Sequence, residues 1–328
     1  MRFRLGLGLG VSALSLVATA SAWSASRRAT RLMSSAADST GVAGLLKTLL
    51  VRDVDSEHRP VRYLDTGGSS GDPPVVMLIG TGQSIEGYGM HVRPFVRAGR
   101  RLIVAEMRAQ GTATSLLPSH CTMQQLTNDL DAFLAGLGCA HVDLVGFSFG
   151  GRLALSYAAT KPQQVRRLSL TGVPYERSGA GQLIIDSWKS LLSTDSSTGL
   201  RECAYSFLIN GYSEAFINRH YDKLPSFIEM ITEQNDASRL RSLIGLSHIA
   251  DPADPLSAPC CARALSGGDV RVQLVGSSLD RIAAVGEVRR LAGAIAGAEF
   301  AEIAGAGHLC LFEKPAEWRS AVIEFLNK

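Results

Sequence analysis

His141-Val142-Asp143-Leu144-Val145-Gly146-Phe147-Ser148-Phe149-Gly150-Gly151-Arg152-Leu153-Ala154-Leu155-Ser156-Tyr157-Ala158 is the stretch whose reading decides the fold of this 328-residue chain. Residues 141–145 carry a short strand pattern, and residues 149–160 a helical one that Lys161-Pro162 ends. Between them stands Gly146-Phe147-Ser148-Phe149-Gly150, a Gly-x-Ser-x-Gly pattern. At a strand-to-helix junction the glycines let the backbone crowd together, and the serine hydroxyl is pushed out above the sheet. The start of a helix also offers Ser148 the positive end of a macrodipole. The pattern recurs at Gly67-Gly68-Ser69-Ser70-Gly71, but there it lies in a polar run between strands, where turn chemistry explains it. The pattern by itself is common, and its placement is what singles out Ser148.

Outward from this junction, short strand patterns alternate with helix-length amphipathic ones from about Leu49 onward. The clearest strands are 75–79, 101–105, 142–146, 167–170, 271–275 and 300–303; the clearest helices are 123–137, 149–160, 285–296 and 315–326. Several of the strands are continuous apolar runs, as expected of strands buried on both faces. The chain is therefore expected to be an α/β protein with a mostly parallel sheet and helices on both faces. The alternation stops after Val173-Pro174 and resumes near Arg271. Ile184, Trp188, Leu191 and Leu192 give the intervening segment helical periodicity, so it reads as a helical insertion.

A serine hydroxyl is a weak nucleophile at neutral pH and needs a base within hydrogen-bond reach. Of the seven histidines, His308 has the best claim. Gly305-Ala306-Gly307-His308 lies between the last strand and the last helix, on the rim where Ser148 stands. The bland alternative is a turn or capping histidine. His58, His91, His120, His141, His220 and His248 fall at surface turns, strand starts or within the insertion. An imidazole base in turn needs a carboxylate to fix its tautomer. Asp280, just beyond the strand 271–275, is the expected acid, although it would also suit a helix cap; Glu176 is the fallback. Two backbone amides are placed to hold an oxyanion, those of Phe149 and of Thr81 in Gly80-Thr81-Gly82-Gln83. Gln83 and Ser84 also read as plain turn residues.

Together, Leu78-Ile79-Gly80-Thr81-Gly82, Gln110-Gly111-Thr112, Gly146-Phe147-Ser148-Phe149-Gly150-Gly151, the stretch 276–280 and Gly305-Ala306-Gly307-His308 resemble the α/β-hydrolase superfamily. The resemblance covers residues 60–328 and rests on the joint order of the motifs. It implies an eight-stranded, mostly parallel sheet with a helical cap at 175–263, the core being formed by 46–174 and 264–328. It also implies a serine hydrolase with Ser148 as nucleophile, His308 as base and Asp280 as acid, acting on a small-molecule acyl substrate. Two positions depart from the pattern: Ile79 stands where many relatives have a histidine, and Glu106 where an aspartate is common. A serine at the elbow argues against dehalogenase or epoxide-hydrolase chemistry. Cleavage of a carboxylic ester, lactone or thioester is the leading expectation. Carbon–carbon bond hydrolysis, a cofactor-free lyase or perhydrolase reaction and acyl transfer use nearly the same triad, and a slow-turnover ligand receptor shares the fold. Gln83, Trp188, Phe207 and Leu309 are candidates for the substrate pocket; Tyr205, Leu208, Tyr212 and Phe216 stand beside them in the insertion.

Composition narrows the field. Apolar residues make up 46% and charged residues 19%, the balance of a core-forming globular chain. The 33 basic and 30 acidic residues leave +3, with no basic stripe on the body, so no nucleic-acid partner is expected. Gly80-Thr81-Gly82 lacks the third glycine of a dinucleotide fingerprint because Ile85 occupies its place. No phosphate-loop run or zinc spacing occurs, so neither cofactor nor metal is expected. The six cysteines follow no disulfide framework and read as mostly reduced thiols.

Residues 1–45 read as a targeting leader. Residues 1–22 hold two arginines, an apolar run and Ala20-Ser21-Ala22, as a signal peptide would; the apolar run is too short to span a bilayer. Residues 23–45 have the basic, hydroxylated composition of a transit peptide. The pair resembles the two-part leaders of nucleus-encoded plastid proteins in algae with complex plastids; secretion and mitochondrial import are the alternatives. A fusion of residues 1–45 to a fluorescent protein should therefore accumulate in plastids, and fluorescence in the medium would overturn that expectation.

Overall fold

The computed structural model describes residues 43–52, 58–68, 71–111, 121–193, 197–247 and 251–328. The expected leader up to residue 42 lies outside them, as do Ser69, Thr112, His120 and His248. Eight strands form one sheet: β1 (Leu46–Arg52), β2 (His58–Asp65), β3 (Val75–Leu78), β4 (Leu102–Glu106), β5 (Val142–Phe147), β6 (Val165–Thr171), β7 (Arg271–Ser277) and β8 (Glu299–Ile303). Their order is β1-β2-β4-β3-β5-β6-β7-β8. β1 pairs antiparallel with β2 and β2 antiparallel with β4, while every other pairing is parallel. The chain leaves β3 toward one edge to make β4, then returns past β3 to make β5. Ligands of open α/β sheets bind at such reversals, outside the carboxyl ends of the strands.

Twelve helices accompany the sheet among the described residues. α1 (Ile85–Arg97), α2 (Met123–Gly136) and α3 (Phe149–Thr160) follow β3, β4 and β5. The segment after β6 holds α4 (Gly179–Leu191), α5 (Ser197–Gly211), α6 (Glu214–Arg219), α7 (Leu224–Gln234), α8 (Ala237–Leu246) and α9 (Ala258–Leu265). α10 (Val285–Gly293) follows β7, and α11 (Cys310–Glu313) and α12 (Pro315–Asn327) follow β8.

Alternation along the strands divides the core. Val76 and Leu78 of β3 join Leu153, Phe133 and Leu291 from α3, α2 and α10 on one face. Val75 and Met77 join Phe95, Tyr88 and Trp318 from α1 and α12 on the other. A strand with a helical layer on each side must be apolar at every position, which is why β3, β4 and β5 are buried throughout. The antiparallel edge is different. β1 and β2 mix Lys47, Arg59 and Arg62 with apolar residues, and Leu50 is exposed.

α4 to α8 supply most of two further apolar clusters, one around Trp188 and Leu240, the other around Leu208 and Ile228, while Leu243 of α8 joins the cluster that holds Leu153. α9 lies within the stretch expected to form the cap, yet Cys261, Ala262 and Leu265 belong to the same cluster as Leu153 of α3. Arg152 donates to the carbonyl of Leu256, which fixes α9 against the body at 2.7 Å. All six cysteines are free, with Cys203, Cys261 and Cys310 buried. Among the described residues no helix is long and apolar enough to cross a membrane.

His91 of α1 is fully buried beside Trp318, with ring centroids 4.9 Å apart, and neither ring nitrogen has a hydrogen-bond partner. Burial, reinforced by the charge of Arg319, pulls its pKa down to about 3. An unfolded histidine titrates near ~6.5, so below that pH the unfolded chain binds a proton that the folded chain refuses until about pH 3. Stability should therefore fall as pH drops below ~6.5, by roughly 2 kcal/mol at pH 5 from this residue. Urea titrations at pH 7.5 and pH 5 should show that much less acid sensitivity in His91→Phe than in the parent; equal sensitivity would rule out His91 as the cause.

Candidate active site

Ser148 sits between β5 and α3 with φ 50° and ψ −114°, a conformation that costs a non-glycine residue free energy. Surrounding contacts leave the turn no freedom. The Ser148 amide donates to the carbonyl of Thr171 at 2.8 Å, and the amide of Arg152 donates to the carbonyl of Ser148 at 2.9 Å. A Cβ on Gly150 would stand 2.3 Å from the carbonyl oxygen of Leu78, and one on Gly146 would stand 2.5 Å from the Cα of Gly151. Only glycine at both positions lets the turn lie this close to β3.

His308, in the turn after β8, brings Nε2 to 2.9 Å from the Ser148 hydroxyl and Nδ1 to 2.7 Å from Oδ2 of Asp280. An ionised carboxylate only accepts, so Nδ1 carries the proton and Nε2 presents its lone pair to the hydroxyl. Asp280 is fixed from its other side. Its Oδ1 accepts the amides of Ile282 and Ala283, both at 2.8 Å. The helix-cap reading of Asp280 fails: α10 begins at Val285 with Ala284 at its N-cap, and Oδ1 of Asp280 instead holds the bend that precedes it. Glu176 is exposed and paired with Arg290 at 2.8 Å, away from the imidazole.

The loops that carry Asp280 and His308 are joined directly. Leu279 donates to the carbonyl of Ala306 at 3.0 Å, and Gly305 donates to the Ser278 hydroxyl at 2.7 Å. The His308 loop is also tied to the helical layer: Leu309 donates to the carbonyl of Gly211 at 2.8 Å, and Glu313 Oε2 accepts the amides of Gly307 and Ser213, each at 3.0 Å. The imidazole packs against Phe147, with centroids 5.0 Å apart, and over Gly172, which has φ 65°.

Opposite the imidazole, the amides of Thr81 and Phe149 have no hydrogen-bond partner among the described residues. The loop bearing Thr81 is shaped by two glutamines. Gln83 accepts from the amide of Gly80 at 2.7 Å and from the Tyr88 hydroxyl, while Gln110 donates to the carbonyl of Ile79 at 2.9 Å. Both departures from the superfamily pattern have a structural use: Ile79 is buried in the core, and Glu106 accepts the first amide of α1, that of Ile85, at 3.1 Å.

A cavity of about 380 Å³ opens over Ser148 and His308, between the sheet rim and the helical layer. Gln83, Trp188, Phe207 and Leu309 all line it. Gln83 does so with its carbonyl oxygen already engaged by the loop. Trp188 and Phe207 serve the helical core as well, packed edge to face at 4.5 Å with the indole N–H donating to Ser206. Tyr205 is exposed and takes no part in the cavity wall. Among the described residues no group of three His, Cys, Asp or Glu side chains is arranged to hold a metal ion. Of the remaining histidines, His141 is exposed and His220 packs against Phe216 with tilted rings; neither reaches the cavity.

Gly172, Glu313 and Gln110 contribute to the site without belonging to a catalytic motif. Gln110 opens the Gln110-Gly111-Thr112 motif and Gly172 directly follows a buried strand, whereas nothing in the sequence marks Glu313. A Cβ on Gly172 would stand 2.9 Å from the imidazole Cε1. Gly172→Ala should shift the ring and slow fluorophosphonate labelling of Ser148 by about 100-fold; labelling at the parent rate would show that the contact does not position the base.

A sequence profile of the alpha/beta hydrolase family matches residues 75–321. A 2-hydroxy-6-oxononadienedioate/2-hydroxy-6-oxononatrienedioate hydrolase of Cupriavidus pinatubonensis is 31% identical over 133 residues, 40% of this chain and 45% of that enzyme. The chain thus spans less than half of that relative. The enzyme of the same name from Paraburkholderia phymatum is 23% identical over 290 residues, covering 82% of this chain and 91% of its own. Among solved structures, the enol-lactonase from Burkholderia xenovorans superposes with a TM-score of 0.69 at 20% identity, over 82% of this chain and 97% of that one.

Proposed function

The chain belongs to the alpha/beta hydrolase family, and from that footing we propose that it cleaves a carboxylic ester, lactone or thioester of a small or medium apolar substrate through Ser148, His308 and Asp280. The observation that carries this reading is the continuous relay from the Asp280 carboxylate through Nδ1 and Nε2 of His308 to the Ser148 hydroxyl, at 2.7 and 2.9 Å, on the floor of a largely apolar cavity.

The steps follow from the geometry. Ser148 Oγ attacks the carbonyl carbon as its proton passes to Nε2 of His308, and Asp280 stabilises the imidazolium. The carbonyl oxygen becomes an oxyanion, held by the Thr81 and Phe149 amides, each worth about 3–4 kcal/mol. Collapse expels the alcohol or thiol, which takes the proton from Nε2 and leaves an acyl-serine. Water then repeats the cycle, giving up a proton to Nε2 and releasing the acid as Ser148 regains its hydrogen. No step needs a cofactor.

A second reading, hydrolysis of a carbon–carbon bond beside a ketone, is favoured by the relatives from Cupriavidus pinatubonensis and Paraburkholderia phymatum, whose names give dienedioate substrates. It would use the same three side chains, with a carbanion equivalent as the leaving group.

Steady hydrolysis of p-nitrophenyl esters, lost in Ser148→Ala, is the expected result. Asp280→Asn should lower kcat by about 10⁴-fold while the melting temperature stays near that of the parent, because the imidazole would lose its tautomer and orientation. Near-normal turnover in Asp280→Asn would remove Asp280 from the mechanism. Loss of ester turnover alongside rapid cleavage of a 2-hydroxy-6-oxodienoate would transfer the assignment to the carbon–carbon reading.

A further inference from the structure

We propose that Arg177 anchors a carboxylate carried by the substrate, so that the preferred acyl compound is an acid at one end and the scissile carbonyl compound at the other. This deepens the reading of the cavity as the substrate site and rests on it.

Arg177 lies two residues before α4 and lines the cavity on the side of the acid loop. Gly181 brings it there. A Cβ on Gly181 would stand 2.5 Å from the carbonyl oxygen of Ile282 and 3.4 Å from Cγ of Arg177, so the first turn of α4 lies directly on the loop after Asp280. The guanidinium is poorly satisfied. Nη2 donates to the carbonyl and hydroxyl of Ser247 at 3.3 and 3.4 Å, both long, while Nε is buried with no partner and Nη1 has none among the described residues.

Among the described residues no nearby acid is free to neutralise it. Asp280 feels its charge, but both oxygens of Asp280 are committed, one to the amides of Ile282 and Ala283 and the other to His308. Asp186 is exposed and holds the carboxamide of Gln182. A buried arginine, Arg152, adds repulsion. Burial first, and Arg152 after it, draw the Arg177 pKa down to about 10, which still leaves the group charged at neutral pH.

A half-buried cation with unmet donors at the edge of an apolar cavity is costly until an anion meets it. A carboxylate suits a planar guanidinium because two parallel N–H···O bonds match its fork. Ile185, Ile244, Ile282 and Phe207 make the neighbouring wall hydrocarbon, so the body between the charge and the carbonyl is apolar. Gln234 shows independently that the cavity expects polar atoms on its ligand: it is buried in the cavity wall, and its Nε2 has no partner.

The test compares p-nitrophenyl octanoate with p-nitrophenyl hydrogen suberate, two eight-carbon acyl chains that differ at the far end. The parent should favour the suberate in kcat/KM by about ten-fold or more, and Arg177→Gln should cut the suberate-to-octanoate ratio by about 10- to 100-fold. Should Arg177→Gln not fold, Arg177→Lys, which keeps the charge but loses the fork, should still lower the ratio several-fold. Equal rates for the two esters in the parent, or a ratio indifferent to either substitution, would overturn the proposal. If neither ester is cleaved, the hydrolysis reading has failed by itself. The anchor is then judged by calorimetric titration of suberate into Ser148→Ala: binding that Arg177→Gln weakens ten-fold or more supports it, and absent or indifferent binding ends it.

Discussion

The turn after β5 lies against the end of β3 so closely that no side chain fits between them, and the arrangement of the sheet's rim follows from that contact. With Gly150 seated on the carbonyls of Leu78 and Ile79, the amide of Phe149 and the loop bearing Thr81 come to face the same space. Gly146 and Gly151 close the rear of the turn, which leaves the Ser148 side chain one direction to point. The reversal of strand order between β3 and β5 is what sets these two loops side by side.

The fold was legible where burial is two-sided. β3, β4 and β5 are apolar at every position because helices cover both faces, and such runs stand out against a polar chain. β1 and β2 were harder to see, since edge strands carry charges such as Lys47 and Arg62 and show no continuous apolar run. α1 is interrupted in pattern by Gly87, Gly89 and Pro94, which weakens its helical signature although the helix forms. The limit of the insertion was blurred for a related reason: α9 is amphipathic like its predecessors, and only its packing on α3 separates it from them.

The same division runs through the candidate site. Ser148, Asp280 and His308 were legible because each stands just past a strand, with glycines beside Ser148 and before His308 in those turns. Glu313, Gln110 and Gly172 act through contacts between elements distant in sequence, and the local pattern around them does not show what they touch. Arg177 belongs with these. Its neighbour Glu176 had been the fallback acid, yet that side chain turns outward to Arg290 while the guanidinium lines the cavity. The helical layer, for its part, is fastened to both sides of the rim. Glu313 and Leu309 bind it to the His308 loop, and Asn235 donates to the carbonyl of Gly82 at 3.1 Å in the Thr81 loop.

The backbone of Ser148 has one more implication. A residue held at φ 50° and ψ −114° stores about 1–3 kcal/mol, against a net folding stability of roughly 5–15 kcal/mol for a domain. A noticeable share of what keeps the chain folded is thus withheld at one position, and glycine there would release part of it. On the proposed mechanism the sturdier protein would have lost its nucleophile, so robustness and the proposed reactivity pull this elbow in opposite directions.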